Sequence, residues 1–559
     1  MSIYEEFLKK GHKVTPVSDF RHLVYSSAER FGKQNAFVLR GRNITYYEFC
    51  LEYKYLTTYF LSEGYKGKRI AVVGSNSYGW ILGYLAASTV GVSVPIDKEL
   101  SSEDILNFIN EAECSAVIGD SSILKELETN IPKFAISKNN VGFVPLDNLI
   151  KEGETLYSGG NKEVDTMKID SEEMSILIFT SGTTGNSKGV CLSQKNICSN
   201  INQTSRMVKI DSTLHSLSVL PLHHTYETTL GHMLLLAGGA CISYSDGLRY
   251  VAKNISEYRP SVLIVVPLLL EFILRRIETS LRESLPKKLL LPEGTPLVQV
   301  IKHLPLPLRF IVKKKVKKTL GGRLRLLIVG AAPIKPEVIE AFQTLGIATY
   351  QGYGLTECSP LLAGNNDFYV NPAAVGLPIH GVEIKIENPN EEGVGEVIAK
   401  GDNIMLGYYN DPAETERVMR GGYFHTGDLG RLDEDGFLYL TGRCKNVIVT
   451  QNGKNIYPEE LEERFSAEPT ISEALVLGVN NSKGGMAVKA KIYPCVDKLK
   501  ELYKKELSKE EIEKHISDLI EKINDKLPAY KKITIWEVVE EAFEKTTTKK
   551  IKRFGNNIL

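Results

Sequence analysis

The sequence predicts an α/β fold joined to an α+β part: two α/β layers, then a small β-barrel, then a C-terminal α+β domain. From residue 36 to about 120, short β-rich runs alternate with helical ones, which is typical of βαβ units and a largely parallel sheet. A second series of this kind follows residue 215. After Asn371 the long helical runs stop and short, glycine-punctuated strands take over.

In chain order, the first layer contains AFVLR, RIAVVG, VSVPI and SAVIG as strands and a helix from Tyr78 to Ser88. The second layer contains ACISYS, SVLIVV and RLLIVG as strands, with helices over Leu248–Glu257 and Pro336–Leu345. The runs VEIKI, GEVIAKG and GFLYLTG then indicate the β-barrel-like part over 371–442.

The last part of the chain combines VIVT, EALVLGV and MAVKAKIYP with a charged helix that starts at Ser508. Ser508 and Glu511 have the spacing of a capping box. We therefore expect an N-terminal domain over 1–442, with its α/β layers ending near 370. A junction at 443–446 and a C-terminal domain over 447–559 follow.

Composition excludes several classes of protein. The 559 residues carry 68 basic and 68 acidic side chains, so no global field attracts nucleic acid. Eight scattered cysteines form no C-x-x-C pair, which favours buried thiols in a reducing compartment. The N-terminus lacks an apolar signal core, and the longest apolar run, Val262–Leu270, is broken by Pro267. The expected location is cytoplasmic, at most peripheral to a membrane.

The stretch Met174–Ser193 places a loop of hydroxyls, glycines and one lysine between two apolar runs. Backbone amides, hydroxyls and a lysine together suit a chain of phosphate oxygens. The loop does not fit the Walker pattern, since no Gly-Lys-Ser/Thr has the required spacing. On composition alone it is equally typical of a flexible connection. The candidate phosphate-binding residues are Thr180, Ser181, Gly182, Thr183, Thr184, Gly185 and Lys188.

Two further loops carry candidate ligands. In YQGYGLTEC, Tyr353 offers a stacking face and Glu357 a hard oxygen ligand for Mg²⁺. In YFHTGDLG, Asp428 lies at a turn where its carboxylate can accept hydrogen bonds from two ribose hydroxyls. Each pattern alone is also typical of an ordinary solvated turn.

Taken together, TSGTTGNSKG, YGLTE, YFHTGDLG, GRCKNVIVTQNGKNIYPEELE and TTTKKIKR occur in the order and approximate spacing of the adenylate-forming acyl-CoA ligases, a superfamily that includes firefly luciferase. The resemblance covers Phe37 to Arg553. A long basic insertion before RLRLLIVGAAP is most similar to the long-chain fatty acid branch. The resemblance implies a large N-terminal domain and a small mobile C-terminal domain that rotates between two half-reactions.

The resemblance also implies roles for single residues. The loop from Thr180 to Lys188 would hold the β- and γ-phosphates of ATP, Thr356 would contact phosphate, and Glu357 would bind Mg²⁺. Asp428 and Arg443 would take the ribose. The residues that would surround adenine are Ala331, Ala332, Gln351, Gly352 and Tyr353.

In the mobile domain, Lys550 would be the catalytic lysine that reaches the α-phosphate. This sequence departs from the family pattern there, because Lys549 stands where glycine is usual. Lys445 falls at the hinge position, and Gly453 with Asn455 would line the tunnel for the CoA pantetheine arm.

His224 matches a gate between the acyl and thiol channels, although a histidine next to another is equally typical of a structural hydrogen-bonder. The acyl pocket is expected at Tyr226, Gly231 and Gly330, where the two glycines are expected to leave room for an alkyl chain.

The implied reaction is ATP-dependent activation of a medium- to long-chain fatty acid to acyl-adenylate, followed by transfer to CoA. Two alternatives stay open: transfer to an acyl carrier protein, or a non-catalytic adenylate-binding protein. The segment Lys287 to Arg325 carries eleven Lys or Arg against one acid and could dock a carrier protein or an anionic membrane, or only solvate a surface.

Overall fold

The structure is a computed structural model. It describes residues 2–137, 142–181, 187–285, 289, 291–292, 295–449, 455–480, 486–545, 551–553 and 557.

Helices and strands alternate along much of the chain. The helices are α1 (Ile3–Lys9), α2 (Phe20–Phe31), α3 (Tyr46–Ser62), α4 (Tyr78–Val90), α5 (Ser102–Glu111), α6 (Ser121–Glu126), α7 (Leu146–Ser158), α8 (Glu163–Thr166), α9 (Gln194–Met207), α10 (Leu234–Ala237), α11 (Val251–Tyr258), α12 (Pro267–Ser284), α13 (Leu297–His303), α14 (Leu306–Thr319), α15 (Pro336–Thr344), α16 (Pro412–Val418), α17 (Pro458–Ser466), α18 (Val496–Tyr503) and α19 (Lys509–Asn524). The strands up to the second layer are β1 (Asn35–Leu39), β2 (Arg42–Thr45), β3 (Arg69–Val73), β4 (Val92–Ile96), β5 (Ala116–Gly119), β6 (Lys133–Ala135), β7 (Val144–Pro145), β8 (Met174–Ser181), β9 (Ser187–Ser193), β10 (His215–Ser218), β11 (Cys241–Tyr244), β12 (Val262–Val265), β13 (Leu326–Val329) and β14 (Ala348–Gly354). The later strands are β15 (Leu361–Gly364), β16 (Leu377–Pro378), β17 (Glu383–Glu387), β18 (Gly395–Lys400), β19 (Gly407–Tyr408), β20 (Met419–Arg420), β21 (Tyr423–Leu432), β22 (Leu438–Arg443), β23 (Ile448–Val449), β24 (Asn455–Ile456), β25 (Ile471–Asn480), β26 (Met486–Pro494) and β27 (Ile533–Val538).

Two large mixed sheets form the N-terminal part. One has nine strands in the order β16-β15-β14-β13-β12-β10-β11-β1-β2, and the other has eight in the order β19-β9-β8-β4-β3-β5-β6-β7. The pairs β10–β12, β12–β13 and β13–β14 are parallel, as are β3–β4 and β3–β5. The α/β part of the predicted fold is therefore confirmed.

The central strands of both sheets are buried on both faces. In β12, Val262 and Ile264 point into the large core between the sheets, while Leu263 and Val265 point into the core on the outer face. Because side chains alternate along a strand, continuous apolar runs such as VLIV serve two cores at once. Helix α4 lies in the inner core and is buried at every position from 80 to 90. The helices α12, α13, α14 and α15 cover the outer face of the nine-stranded sheet.

The remaining sheets are small. The part predicted as a β-barrel is a five-stranded sheet in which β17, β18, β21 and β20 are in order and β22 pairs with β21. The C-terminal part has its own core, built from β25, β26, β27, α17 and α19. The capping box at Ser508 is confirmed, since Glu511 N donates to Ser508 Oγ at 3.3 Å and Ser508 N donates to Glu511 Oε2 at 3.0 Å. The exact domain bounds stay a prediction.

Within the described residues, no helix has both the length and the apolar character needed to cross a membrane.

Candidate functional site

Asp428 is a buried carboxylate held by two partners. It lies on β21 directly opposite Arg443 on β22, because the antiparallel register pairs these two residues. Arg443 Nε lies 2.8 Å from Asp428 Oδ1 in an ion pair, and Tyr353 Oη donates to Asp428 Oδ2 at 2.8 Å. The carboxylate raises the pKa of Arg443, and burial with the nearby charge raises that of Tyr353.

Glu357 lies in a 3₁₀ turn, Thr356–Cys358, that follows β14. Tyr408 Oη donates to its Oε1 at 2.9 Å, and Met405 N donates to its backbone carbonyl at 2.8 Å. The carboxylate is therefore oriented but only half-buried. Mg²⁺ is usually held by one or two carboxylates plus substrate phosphates and water, so an oriented carboxylate on a cavity wall fits this ion.

Lys188 follows the predicted phosphate loop on β9. Thr180 Oγ1, on the paired strand β8, donates to the Lys188 carbonyl at 3.4 Å. The Lys188 ammonium pairs with Glu414 and lies 4.9 Å from the centre of the Tyr408 ring. Arg417 and Lys188 lower the pKa of Glu414 to about 2, so this carboxylate stays charged.

The predicted loop is only partly covered. Gly182, Thr183, Thr184 and Gly185 lie outside the described residues, and Ser181 is described only as the last residue of β8.

The predicted adenine residues lie at the carboxyl ends of β13 and β14. Ala331 has φ +70°, a left-handed conformation that turns the chain away from the end of β13. A side chain at Gly330 would meet the Gly352 carbonyl at 3.3 Å and the Tyr226 ring at 3.4 Å. This close approach favours a small residue at 330.

The two glycines of the expected acyl pocket do not leave open space, contrary to the sequence-based interpretation. Tyr226 begins a π-helix, Tyr226–Met233, and its Oη donates to the Ile328 carbonyl at 3.1 Å. The space in front of Gly330 is taken by the Tyr226 ring, and that in front of Gly231 by the Glu227 carboxyl, 2.8 Å from a side chain built there. The glycines therefore accommodate neighbouring side chains, which a sequence alone does not reveal.

Glu227 forms a buried polar cluster beside this pocket. It is 1% exposed, and Ser218 Oγ donates to its Oε1 at 2.6 Å. His232 Nδ1 lies 3.7 Å from the same oxygen, too far for a hydrogen bond. Burial raises the pKa of Glu227 to about 8 and lowers that of His232 to about 4, so both are neutral near pH 7.

His224 lies in the turn before the π-helix, with its backbone N–H donating to the Pro221 carbonyl at 3.2 Å. Its ring centre is 4.0 Å from that of His223. His223 in turn lies 3.5 Å from Asp97, and burial lowers the pKa of His223 to about 4. The pair forms part of the cavity wall.

The hinge and C-terminal candidates are divided between described and undescribed residues. Lys445 lies in a 3₁₀ turn, Cys444–Asn446, and Asn455 begins β24. Gly453 and Lys550 lie outside the described residues. The chain on both sides of Lys550 is held in place: Lys545 pairs with Glu473 at 2.5 Å, and Arg553 donates to the Val476 carbonyl at 2.9 Å.

One cavity of about 5080 Å³ joins most of these groups. It is several times larger than a single small-molecule pocket, so it has room for more than one ligand. Ile551 and Arg553, which follow Lys550, also line it. The predicted site residues on its wall are Thr180, Lys188, His224, Tyr226, Gly330, Ala331, Ala332, Gln351, Gly352, Tyr353, Thr356, Glu357, Asp428, Arg443 and Lys445.

The sequence motifs did not identify three residues of the site: Tyr408, Glu414 and Glu227. Tyr408 and Glu414 lie far along the chain from Glu357 and Lys188, and no motif connects them. For Glu227 a signal exists, since an acidic residue interrupts the otherwise uncharged run TYETTL.

The sequence matches the models of two known protein families. The model of the AMP-binding enzyme family matches residues 24–409, and that of the AMP-binding enzyme C-terminal domain matches 445–554. The chain therefore belongs to the AMP-binding enzyme family. This match confirms the expectation of an adenylate-forming acid–CoA ligase that uses ATP, Mg²⁺ and CoA.

Among curated relatives, the long-chain-fatty-acid–CoA ligase 5 of Rattus norvegicus is 28% identical over 484 residues, covering 78% of this chain and 69% of that protein. The long-chain-fatty-acid–CoA ligase FadD15 of Mycobacterium bovis is 27% identical over 435 residues, covering 74% of this chain and 71% of the relative.

Solved structures share the fold. The o-succinylbenzoate CoA synthetase of Bacillus subtilis with its acyl-adenylate has a TM-score of 0.73 at 22% identity, covering 97% of this chain and 98% of the other. The anthranilate CoA ligase AuaEII has a TM-score of 0.74 at 18% identity, covering 97% and 96%.

The buried Glu227 predicts a pH-dependent stability. Its pKa is raised from 4.5 to about 8, so its contribution to stability is complete below pH 4.5 and is lost as pH rises through 8. We expect Glu227→Gln to gain stability relative to the native chain over this window, by a few kcal/mol above pH 8. Thermal unfolding at a series of pH values measures the difference. Glu111→Gln, at an exposed position, is the control and should show no such trend. If the unfolding temperatures of the native chain and Glu227→Gln changed with pH in the same way, a neutral Glu227 would be contradicted.

Proposed function

We propose that the enzyme activates a medium- to long-chain fatty acid. The carboxylate attacks the α-phosphate of ATP, forming acyl-adenylate and releasing pyrophosphate, and the thiol of CoA then displaces AMP to give acyl-CoA. The observation that supports this best is the convergence of the Tyr353–Asp428–Arg443 group, Glu357 and Lys188 on one cavity. The long-chain fatty acid relatives support the substrate class.

In the first step, the protein forms no covalent bond to the substrates; it positions them and neutralises the phosphate charge. Asp428, already oriented by Arg443 and Tyr353, accepts hydrogen bonds from the ribose hydroxyls. Lys188 exchanges its Glu414 partner for the β- and γ-phosphates, together with the hydroxyls and amides from Thr180 to Gly185. Glu357 and Thr356 would hold Mg²⁺ and phosphate, and Mg²⁺ supplies neutralisation of the phosphate charge.

Adenine would lie at the carboxyl ends of β13 and β14, where ligands of open α/β sheets commonly bind. The wall there consists of Ala331, Ala332, Gln351, Gly352 and Tyr353. The left-handed Ala331 and the tight contact at Gly330 keep this wall close to the backbone.

In the second step, the C-terminal part over 447–559 would turn about Lys445, in the junction 443–446. Lys550 serves the adenylation step and then moves away, and Gly453 with Asn455 admits the pantetheine arm. His224 stands where the acyl and thiol channels would meet.

The acyl group would lie along the cavity wall near Tyr226 and Gly330, and not at Gly231, where the Glu227 carboxyl fills the space. The surrounding strand ends supply apolar walls, and each buried methylene contributes about 0.8 kcal/mol to binding. Since Glu227 is neutral near pH 7, it does not oppose an alkyl chain by a buried charge.

Two alternatives are carried with this proposal. The acyl group could pass to an acyl carrier protein, for which the segment from Lys287 to Arg325 would be the dock. A non-catalytic adenylate-binding protein would bind AMP without exchange. The location proposed is cytoplasmic, at most peripheral to a membrane.

The proposal predicts pyrophosphate exchange into ATP that depends on a fatty acid. A panel of acids from short to long chain, with free CoA and with an acyl carrier protein as acceptors, measures both half-reactions. We expect exchange with medium to long chains and acyl-CoA as the product. Thioester formed only on the carrier would support the first alternative, and AMP binding without exchange for any acid would support the second.

Lys550→Ala is expected to lower the adenylation rate by about a thousandfold or more, because it removes the cation aimed at the α-phosphate. Thiol attack on supplied acyl-adenylate should stay within about threefold of the native rate. Lys549→Ala is the matched control and should keep both activities. Equal loss of both steps in Lys550→Ala would contradict this division of labour.

A further inference from the structure

Helix α14 exposes three large apolar side chains. Its buried side, with Val312 and Val316, packs on the outer face of the nine-stranded sheet. Opposite this side, Leu306 is 75% exposed, Phe310 69% and Ile311 57%. Single exposed apolar residues are common, but three within two turns of one helix form an exposed hydrophobic patch, which is typical of an interaction surface.

The last turns of α14 are basic. The helix contains no acidic residue, and within the described residues no carboxylate pairs with any of its five lysines, Lys313, Lys314, Lys315, Lys317 and Lys318. Lys287 and Lys288, at the start of the basic segment, lie outside the described residues. The exposed face of α14 thus begins apolar and ends cationic.

Helix α12 also exposes apolar side chains. Leu268 is 63% exposed and Phe272 49%, and both line the same cavity as the candidate site. On the α14 side, Lys315 and Thr319 line this cavity as well. Residues of both α12 and α14 therefore line the cavity that reaches Tyr226 and Gly330.

We propose that α14 docks on an anionic lipid bilayer, with Leu306, Phe310 and Ile311 in the headgroup boundary and its lysines at the lipid phosphates. The fatty acid would then enter the cavity between α12 and α14 directly from the membrane. This inference rests on the proposed function, because it supplies a route for that substrate.

A bilayer fits this surface better than an acidic carrier protein does. A carrier would match the lysines and leave Leu306, Phe310 and Ile311 in water. Interfacial helices combine Lys or Arg with Phe and Leu, and bind through both the buried apolar area and the attraction to anionic lipid.

The test is co-sedimentation of the full chain with vesicles of mixed phosphatidylglycerol and phosphatidylcholine, and with pure phosphatidylcholine. We expect binding to the mixed vesicles that weakens with salt. Reversal of Lys314 and Lys318 to Glu should weaken binding by about thirtyfold or more. Reversal of Lys125 and Lys151, two exposed lysines on other helices, is the matched control and should leave binding unchanged. Replacement of Leu306, Phe310 and Ile311 by Ser should also weaken it, at unchanged charge.

The activity assay separates this inference from the proposed function. With fatty acid supplied in detergent-free solution, the α14 variants should keep the native rate, while with vesicle-borne acid the rate should fall in parallel with binding. An active native enzyme that does not bind the vesicles would overturn the docking proposal and leave the activity standing. Unchanged vesicle binding in both variants would also overturn it. A native chain that binds a carrier protein but no vesicles, and loses that carrier on charge reversal, would overturn it as well.

Discussion

The candidate site depends on one buried carboxylate. Asp428 is 6% exposed and contacts both Arg443 and the Tyr353 hydroxyl. Tyr353 belongs to the nine-stranded sheet, Asp428 and Arg443 belong to the five-stranded sheet, and Arg443 is the first residue of the predicted junction 443–446. The contacts of Asp428 with Arg443 and Tyr353 therefore join the two sheets at this point of the cavity wall.

The rest of the site follows from the same architecture. Strands buried on both faces leave only their ends available for polar groups, so Glu357, Ala331 and the π-helix all lie where strands end. Where polar groups penetrate further, as at Glu227, burial keeps them neutral. The part of the cavity assigned to the acyl chain therefore carries no charge from Glu227 near pH 7.

The sequence predicted much of this. Continuous apolar runs revealed the two parallel layers, and five ordered motifs led to Asp428, Arg443, Glu357 and Lys188. It did not predict that Glu414 pairs with Lys188 or that Tyr408 orients Glu357, because such contacts depend on register between distant strands. It also misjudged the space at Gly231, since only packing shows which side chain fills the room that a glycine leaves.

The most direct test of the role of Asp428 is a calorimetric cycle with AMP and 2′,3′-dideoxy-AMP, using the native chain and Asp428→Asn. If Asp428 binds the ribose hydroxyls, the variant and the deoxygenated ligand should each weaken binding by about tenfold to a hundredfold. Together they should weaken it no more than either does alone, since both remove the same interaction. Losses that multiply would contradict the account and place the ribose elsewhere in the cavity.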